Sequence, residues 1–370
     1  MLRFISIFLK SILILVIGMS IFIWLFMQQK SFGRLPSGKR LERIKGSPNF
    51  KDGSFQNIET TPMMAEGTSY PKMFYNFFFS PNVNREPSRN LPSILTNLKS
   101  LPDEPTIIWF GHSSYLITVN GKRVLVDPVF SQRASPVQFV GGKAYPVTNP
   151  YSIDDFPDVD LVVISHDHYD HLDYNTIQKL RSKTKFFCTG LGIGSHLEHW
   201  GIPESQIREF DWWEGEEVVP GLELTCTPAR HFSGRGFTRG QTLWSSFVLK
   251  ADRFRIFIGG DSGYDASFKK IGEKFGPFDL VMLECGQYDT QWPYIHMMPE
   301  QTVQASIDLN SAALLPVHWG KFTLALHPWD EPIRRAAKSA AERQVKMATP
   351  RIGETMRLDS VKLGNNWWEN

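Results

Sequence analysis

Residues 161–171 read Leu161-Val162-Val163-Ile164-Ser165-His166-Asp167-His168-Tyr169-Asp170-His171. The apolar run is too short for a helix and reads as a strand buried on both faces. It leads directly into His166, His168, Asp170 and His171, four metal-ligand residue types within six positions. A buried strand fixes where the following loop begins, so two imidazoles two residues apart can converge on one ion while Asp170 and His171 address a neighbouring one. Core packing does not account for such a run.

The same arrangement recurs downstream. The strand-like run 222–227 leads to His231, 256–260 to Asp261, and 314–317 to His318. Taken singly, His231 or His318 fits an ordinary hydrogen-bonded histidine; beside the His166–His171 cluster they read as further ligands. Other strands are expected at 106–110, 114–119, 123–126, 244–250 and 280–284, with Asn120-Gly121 as a two-residue hairpin turn. Helix formers occupy 174–181, 194–200, 266–275, 299–309 and 331–343, with Pro299 suited to a first helical position. This alternation is an α/β pattern, with no short-period repeat.

These motifs resemble the metallo-β-lactamase superfamily, whose metal motifs are HxHxDH followed by a lone His, a lone Asp and a lone His. The match spans roughly 105–320. Within that superfamily the chain is similar to the branch of N-acyl-phosphatidylethanolamine-hydrolysing phospholipase D. The residues concerned are Gly111-His112-Ser113-Ser114, Leu125-Val126-Asp127-Pro128, the HDHYDHLD run 166–173, Thr227-Pro228-Ala229-Arg230-His231, Gly260-Asp261-Ser262-Gly263 and Pro316-Val317-His318-Trp319-Gly320. Sugar-lactone hydrolases share much of this pattern.

The resemblance implies a four-layer αββα sandwich with its site at one edge between two sheets. It implies that His166, His168 and His231 hold one Zn²⁺, that Asp170, His171 and His318 hold a second, and that Asp261 bridges them. Nitrogen and carboxylate donors without thiolate suit zinc, although iron or manganese is held by the same atoms. Two such cations share and acidify a water and stabilise the charge that develops during attack, so no side-chain nucleophile is needed. Members that do redox chemistry at two irons typically carry Glu where this chain has His168, so hydrolysis is implied. Asp170, Asp261 and His296 are the expected catalytic residues; in the phospholipase branch a histidine matching His296 lies close to the metals.

Four more residues are candidates around the ligands. Asp127 is placed either to accept the spare N–H of a liganding histidine or simply to form the turn before Pro128. His112 reads as a second contact to ligands or substrate phosphate. Arg230 and Arg235 read either as phosphate-pairing guanidiniums or as loop arginines on the surface. His196, His199 and His327 need no metal to explain them.

Composition bounds the rest. The 370 residues, 42% hydrophobic and 21% charged, suffice for a large core, and 40 basic against 38 acidic residues leave a net charge of +2. That balance argues against nucleic acid as a partner. Cys188, Cys226 and Cys285 are too scattered for a disulfide framework and read as buried thiols.

Residues 11–27 carry no charge. With 4–10 they span roughly 36 Å as a helix, against a bilayer core of about 30 Å. No small-residue cleavage site follows, so the reading is an uncleaved single-pass anchor over 1–29 rather than a signal peptide. Lys30, Arg34, Lys39, Arg40, Arg43 and Lys45 follow the segment and favour a cytoplasmic catalytic domain. Residues 30–62 lack periodicity and read as a tether, and 63–370 as the hydrolase domain with an N-terminal arm. In that arm, aromatic residues 73–79 are read as packed over the core, with a lipid- or partner-facing surface as the alternative.

The expected function is therefore a membrane-anchored dizinc hydrolase of a phosphodiester in N-acyl-phosphatidylethanolamine-type phospholipid, with a homodimer left open. The alternatives are a lactonase or other C–O hydrolase acting on a soluble metabolite, and a metal-containing membrane protein without turnover. Met63-Met64, the 77–79 run and Trp367-Trp368 are expected to help receive acyl chains.

Overall fold

The structure, a computed structural model, describes residues 2–79, 84–101, 104–361, 364 and 366–369. Helix α1 (Leu2–Phe26) is followed by α2 (Gly38–Lys45), the hairpin β1 (Phe50–Lys51) and β2 (Ser54–Phe55), and α3 (Tyr70–Phe79). Strands β3 (Thr106–Trp109), β4 (Tyr115–Val119) and β5 (Lys122–Val126) then form a meander, with Asn120 and Gly121 both at positive φ in the β4–β5 turn. After a short ribbon of β6 (Arg133–Ala134) and β7 (Gly142–Lys143) come β8 (Val159–Ile164), α4 (Tyr174–Leu180), β9 (Thr184–Gly190), α5 (Gly194–His199) and β10 (Ile207–Phe210).

The second half contains β11 (Gly215–Val219), β12 (Leu222–Thr227), β13 (Ser246–Ala251), β14 (Phe254–Ile258), α6 (Ser267–Phe275), β15 (Leu280–Glu284), α7 (Pro299–Asp308) and β16 (Leu314–Val317). Helix α8 (Glu331–Glu342) follows, and β17 (Thr355–Arg357) returns to pair with β3 at the edge of the first sheet. The two large sheets have the orders β10-β9-β8-β5-β4-β3-β17 and β11-β12-β13-β14-β15-β16.

The period-2 alternation of each strand builds the layers. In β8, Leu161 and Val163 join Ile256, Ile258, Leu280 and Met282 of the other sheet in one central core. Val162 and Ile164 face the opposite way, against Ile177 and Leu180 of α4 and Leu197 of α5. In the second sheet, Phe257 and Val281 turn outward against Phe268 and Ile271 of α6 and Val303 of α7. The result is helix, sheet, sheet, helix, the four-layer sandwich. Strands buried on both faces explain why their sequences read as continuous apolar runs.

Pairing directions matter for the site. Strands β3, β5 and β8 run one way in the first sheet, and β12, β14, β15 and β16 share a direction in the second. The loops that leave their C-terminal ends carry His112, Asp127, His166–His171, His231, Asp261 and His318.

Helix α1 is long and apolar enough to cross a bilayer over Arg3–Phe26, and none of that window is buried against the body. Three expectations about its surroundings change. Residues 30–62 are packed against the sandwich: Ile44 and Phe55 lie in the central core, and Arg40 pairs with Glu209 at 2.7 Å and Glu198 at 2.8 Å. These are point contacts without a repeating face, which is why no periodicity announced them. Helix α3 is not folded over the core, because Phe74, Tyr75 and Phe79 are each at least 60% exposed; the Phe78 side chain lies outside the described residues. Trp367 and Trp368 are buried against Trp319, with ring centroids 5.2 and 6.0 Å away, and belong to the core rather than to an acyl-chain surface.

Candidate metal centre

The two-residue spacing of His166 and His168 brings His166 Nε2 to 2.9 Å from His168 Nδ1, and His231 Nε2 arrives from the other sheet at 3.3 Å from the same atom. The partners of the remaining ring nitrogens set the tautomers. His231 Nδ1–H donates to the Ile295 carbonyl at 2.8 Å, and His166 Nδ1 meets the Ser165 hydroxyl at 3.0 Å. Two Nε2 lone pairs therefore point at His168 Nδ1. Burial, with the neighbouring histidines, holds His166 and His231 well below the usual histidine pKa, and burial brings His168 down to about 4. Buried neutral imidazoles aimed lone pair to lone pair repel one another unless a cation lies between them.

A second group adjoins the first. Asp170, His171 and His318 converge together with His112, while Asp261 lies among His166, His171 and His318. Asp261 Oδ2 is 3.2 Å from His171 Nε2, 3.8 Å from His166 Nε2 and 3.9 Å from His231 Nε2; its Oδ1 is 3.2 Å from His318 Nδ1. It is the carboxylate that touches both groups. His171 Nε2 and Asp261 Oδ1 are buried without a hydrogen-bond partner, and orphans set among this many ligand atoms fit an ion or a water held between them. The donor set thus fits divalent cations.

Supports hold these donors in place. Asp127 Oδ2 accepts from His171 Nδ1 at 2.8 Å, while its carboxylate also accepts the Ser165 N–H at 2.8 Å and the Ser165 hydroxyl at 2.6 Å. Both sequence readings of Asp127 meet here, since it also makes the turn, at φ +38°. His112 and His318 too have positive φ, +52° and +67°, a conformation that costs of order 1 kcal/mol and concentrates at functional sites. Gly260 has φ +59°, and a Cβ there would lie 2.8 Å from the Ser165 Cβ, so the approach of the Asp261 loop to the His166 loop needs glycine.

Burial opposes the charged form of His171, yet the carboxylates of Asp261, Asp170 and Asp127 prevail and raise its pKa well above normal. Asp127→Asn exchanges one of those carboxylates for a neutral amide that has to serve Ser165 and His171 together. The expected result is a 10- to 100-fold loss in metal affinity or turnover, read by metal titration of the purified variant.

His296 is brought to the rim, its ring 5.1 Å from His231 and 5.3 Å from His318, with Nδ1 2.6 Å from Glu284 Oε2. Glu284 is a residue that sequence reading missed. It ends β15 as Asp261 follows β14, and the end of the Leu280–Glu284 run was the available signal. Its other oxygen accepts the N–H groups of Ser262 and Met297. Asn57 was also missed: its side chain accepts the His231 N–H at 3.1 Å and donates to the His231 carbonyl at 2.8 Å. His168, Asp170 and His296 are only partly buried, unlike their neighbours, and mark the opening of the site.

The two arginines differ from both sequence readings. They are buried, and their guanidiniums are committed to protein oxygens. Arg230 donates to Thr61 Oγ1 and to the Thr60 and Tyr264 carbonyls, and Arg235 to the Asp167, Leu172 and Ser31 carbonyls. Their planar forks tie the tether and the metal loop to the body rather than facing the metal opening.

Comparison with known proteins agrees with this geometry. The family described as Beta-lactamase superfamily domain matches residues 122–319. An uncharacterized protein of Mycobacterium tuberculosis is 40% identical over 328 residues, 87% of each chain. N-acyl-phosphatidylethanolamine-hydrolyzing phospholipase D 1 of Caenorhabditis elegans is 34% identical over 229 residues, 58% of this chain and 64% of that protein. A solved metallo hydrolase from the archaeon Ignicoccus hospitalis has a TM-score of 0.53 at 23% identity, covering 68% of this chain and 97% of its own, and speaks for the fold alone. The family match takes in every loop that carries a cluster residue except that of His112, and on it this chain belongs to the β-lactamase superfamily, as a hydrolase of the metallo-β-lactamase fold.

Proposed function

We propose that the protein is a membrane-anchored dizinc hydrolase that cleaves a phosphodiester bond in N-acyl-phosphatidylethanolamine-type phospholipids. The observation that carries this reading is the convergence of seven nitrogen- and oxygen-bearing side chains into two sets joined by Asp261. His166, His168 and His231 would hold one zinc, Asp170, His171 and His318 the other, and Asp261 both. Cations so held lower the pKa of water towards 7 and neutralise charge on phosphoryl oxygens.

The chain's own residues do the rest. Asp127 and Ser165 orient the imidazoles. His296, with Nδ1 tied to Glu284, keeps Nε2 for the substrate and passes a proton to the leaving oxygen, a contribution of about 10² to 10⁴ in rate.

Lipid as substrate is supported by the similarity to the nematode phospholipase and by the position of α1. Phe32, six residues beyond its end, packs edge-on to Tyr169 of the metal loop, with ring centroids 6.4 Å apart. An anchor spanning the bilayer through α1 would hold the metal centre beside the headgroups, and the basic residues after it favour a cytoplasmic catalytic domain.

Full-length protein in mixed micelles should release phosphatidic acid from N-acyl-phosphatidylethanolamine and lose that activity to a chelator, with zinc restoring it. Ring opening of phosphorylated lactones without phosphatidic acid release would replace this reading with that of a lactonase.

A further inference from the structure

We propose that the cavity between the end of α1 and the sandwich binds one anionic phospholipid of the surrounding bilayer, at a site separate from the metal centre. This rests on the reading that α1 spans the membrane. The cavity has a volume of about 710 Å³ and is walled on one side by Ile23, Trp24 and Met27, and on the other by Arg34, His199 and Arg235. Apolar side chains of α1, with Phe32, Leu35 and Phe237 around the basic residues, suit an amphiphile whose head is an anion. No Asp or Glu is among its lining residues, and no metal-cluster residue is either.

Its depth in the membrane fits. Helix α1 ends at Phe26, and Gln28, Gln29 and Lys30 follow, so the mouth lies where hydrocarbon gives way to headgroups. Trp24 is 62% exposed on the last turns, as interfacial aromatics are.

The basic wall keeps one uncommitted guanidinium, that of Arg34. Arg34 is held at the mouth by its backbone N–H, which donates to His196 Nδ1 at 3.0 Å, and its guanidinium pairs with no carboxylate among the described residues. Arg235 adds positive charge behind Arg34 rather than a second fork: it is 5% exposed, its terminal N–H groups donate to the Ser31, Asp167 and Leu172 carbonyls, and only its Nε lacks a partner. Burial and the charges of Arg34 and Lys30 lower the pKa of His199, which reports a positive potential at this spot. Guanidiniums recognise phosphate through paired N–H groups, and a phosphodiester headgroup supplies those acceptors.

The cavity also touches the metal loop indirectly. His196 and Arg235 line it, and they bond the Asp167 carboxylate and the Asp167 and Leu172 carbonyls.

The test uses full-length protein in phosphatidylcholine nanodiscs doped with phosphatidylglycerol, followed by native mass spectrometry after release into neutral detergent. Wild type should retain one phosphatidylglycerol per chain, and Arg34→Ala/His199→Ala should weaken that retention at least about tenfold. Metal content and hydrolysis should be unchanged, because neither residue belongs to the metal centre. Gly236→Leu is a steric control: a Cβ at Gly236 already comes within 2.9 Å of Met27 Cε, so the larger side chain enters the cavity and should displace the lipid.

Equal retention by wild type and both variants overturns the site, as does retention of phosphatidylcholine to the same degree. Displacement of the lipid by inorganic phosphate shows a phosphate pocket and overturns it as well. Vesicle flotation separates the two readings: protein that floats without selective retention refutes this site alone, and protein that fails to float refutes the anchor and the site together.

Discussion

Asp261→Ala is expected to abolish hydrolysis and to strip the bound metal while leaving the sandwich folded. Asp261 Oδ2 lies 3.2 Å from His171 Nε2 of one group and 3.8 and 3.9 Å from His166 and His231 Nε2 of the other. Its loss should therefore exceed the roughly 10³-fold penalty of removing a single electrostatic donor from an active site. The fold should survive, because burial pushes the Asp261 carboxyl up to about 6 even with His171 beside it. A side chain whose charged form is disfavoured where it sits contributes to the site and little to stability. Elemental analysis, circular dichroism and turnover of the same preparation check all three statements. Full activity in a variant with normal metal content would end the proposed mechanism.

Asp167→Ala is expected to have the opposite signature, a large loss of stability. Asp167 lies inside the ligand motif yet joins none of the metal groupings. Its Oδ1 accepts the Gly234 N–H at 2.7 Å, and its Oδ2 accepts from the Thr242 hydroxyl at 2.9 Å and His196 Nε2 at 3.2 Å. Alanine strands three buried donors, each costing about 1 to 3 kcal/mol when left unmet. A net loss of about 3 to 5 kcal/mol follows, in line with breaking other buried charge-bearing networks. In a body of this size that lowers the melting midpoint by roughly 10 °C. Asp167→Asn keeps an acceptor oxygen and should lose about half as much. Thermal unfolding followed by fluorescence in detergent distinguishes them; an unchanged midpoint for the alanine variant refutes the bracing role.

The α/β alternation was legible because its strands are buried on both faces and flanked by helix formers, while the four-layer sandwich was implied by the family resemblance. The runs at 161–165, 222–227, 254–259 and 280–284 lie within two residues of β8, β12, β14 and β15. Strands β9, β10, β11 and β17 were not separated from their neighbours. The Gly215–Val219 strand is exposed at three of its five residues, two of them glutamates, so it carries no apolar alternation to read. The packed 30–62 segment escaped for a related reason: its hold on the body comes from Ile44, Phe55, Arg40 and Asn57 one at a time, and isolated contacts leave no period.

The candidate site divides along the same line. Residue type and strand-end position singled out His166, His168, Asp170, His171, His231, Asp261 and His318, since donors must be mounted on rigid elements to be held a few ångströms apart. Glu284, Asn57 and Asp167 were passed over, because a carboxylate or amide takes its meaning from partners distant in the chain. Arg230 and Arg235 show this most directly: in sequence they are basic loop residues beside His231, and in three dimensions they donate to the Thr61 hydroxyl and to the Thr60, Ser31, Asp167 and Leu172 carbonyls.

By itself, then, the order of residues determined the α/β class, the apolar N-terminal helix and the set of candidate metal-donor side chains, because each is a local pattern of polarity and residue type. Only tertiary structure decided which donors share an atom-scale space, which arginines are already engaged, and that the segment just after α1 abuts the metal loop. Those facts depend on distances between segments from about 60 to about 200 residues apart, and such distances are set by how two sheets pack, which no local pattern encodes.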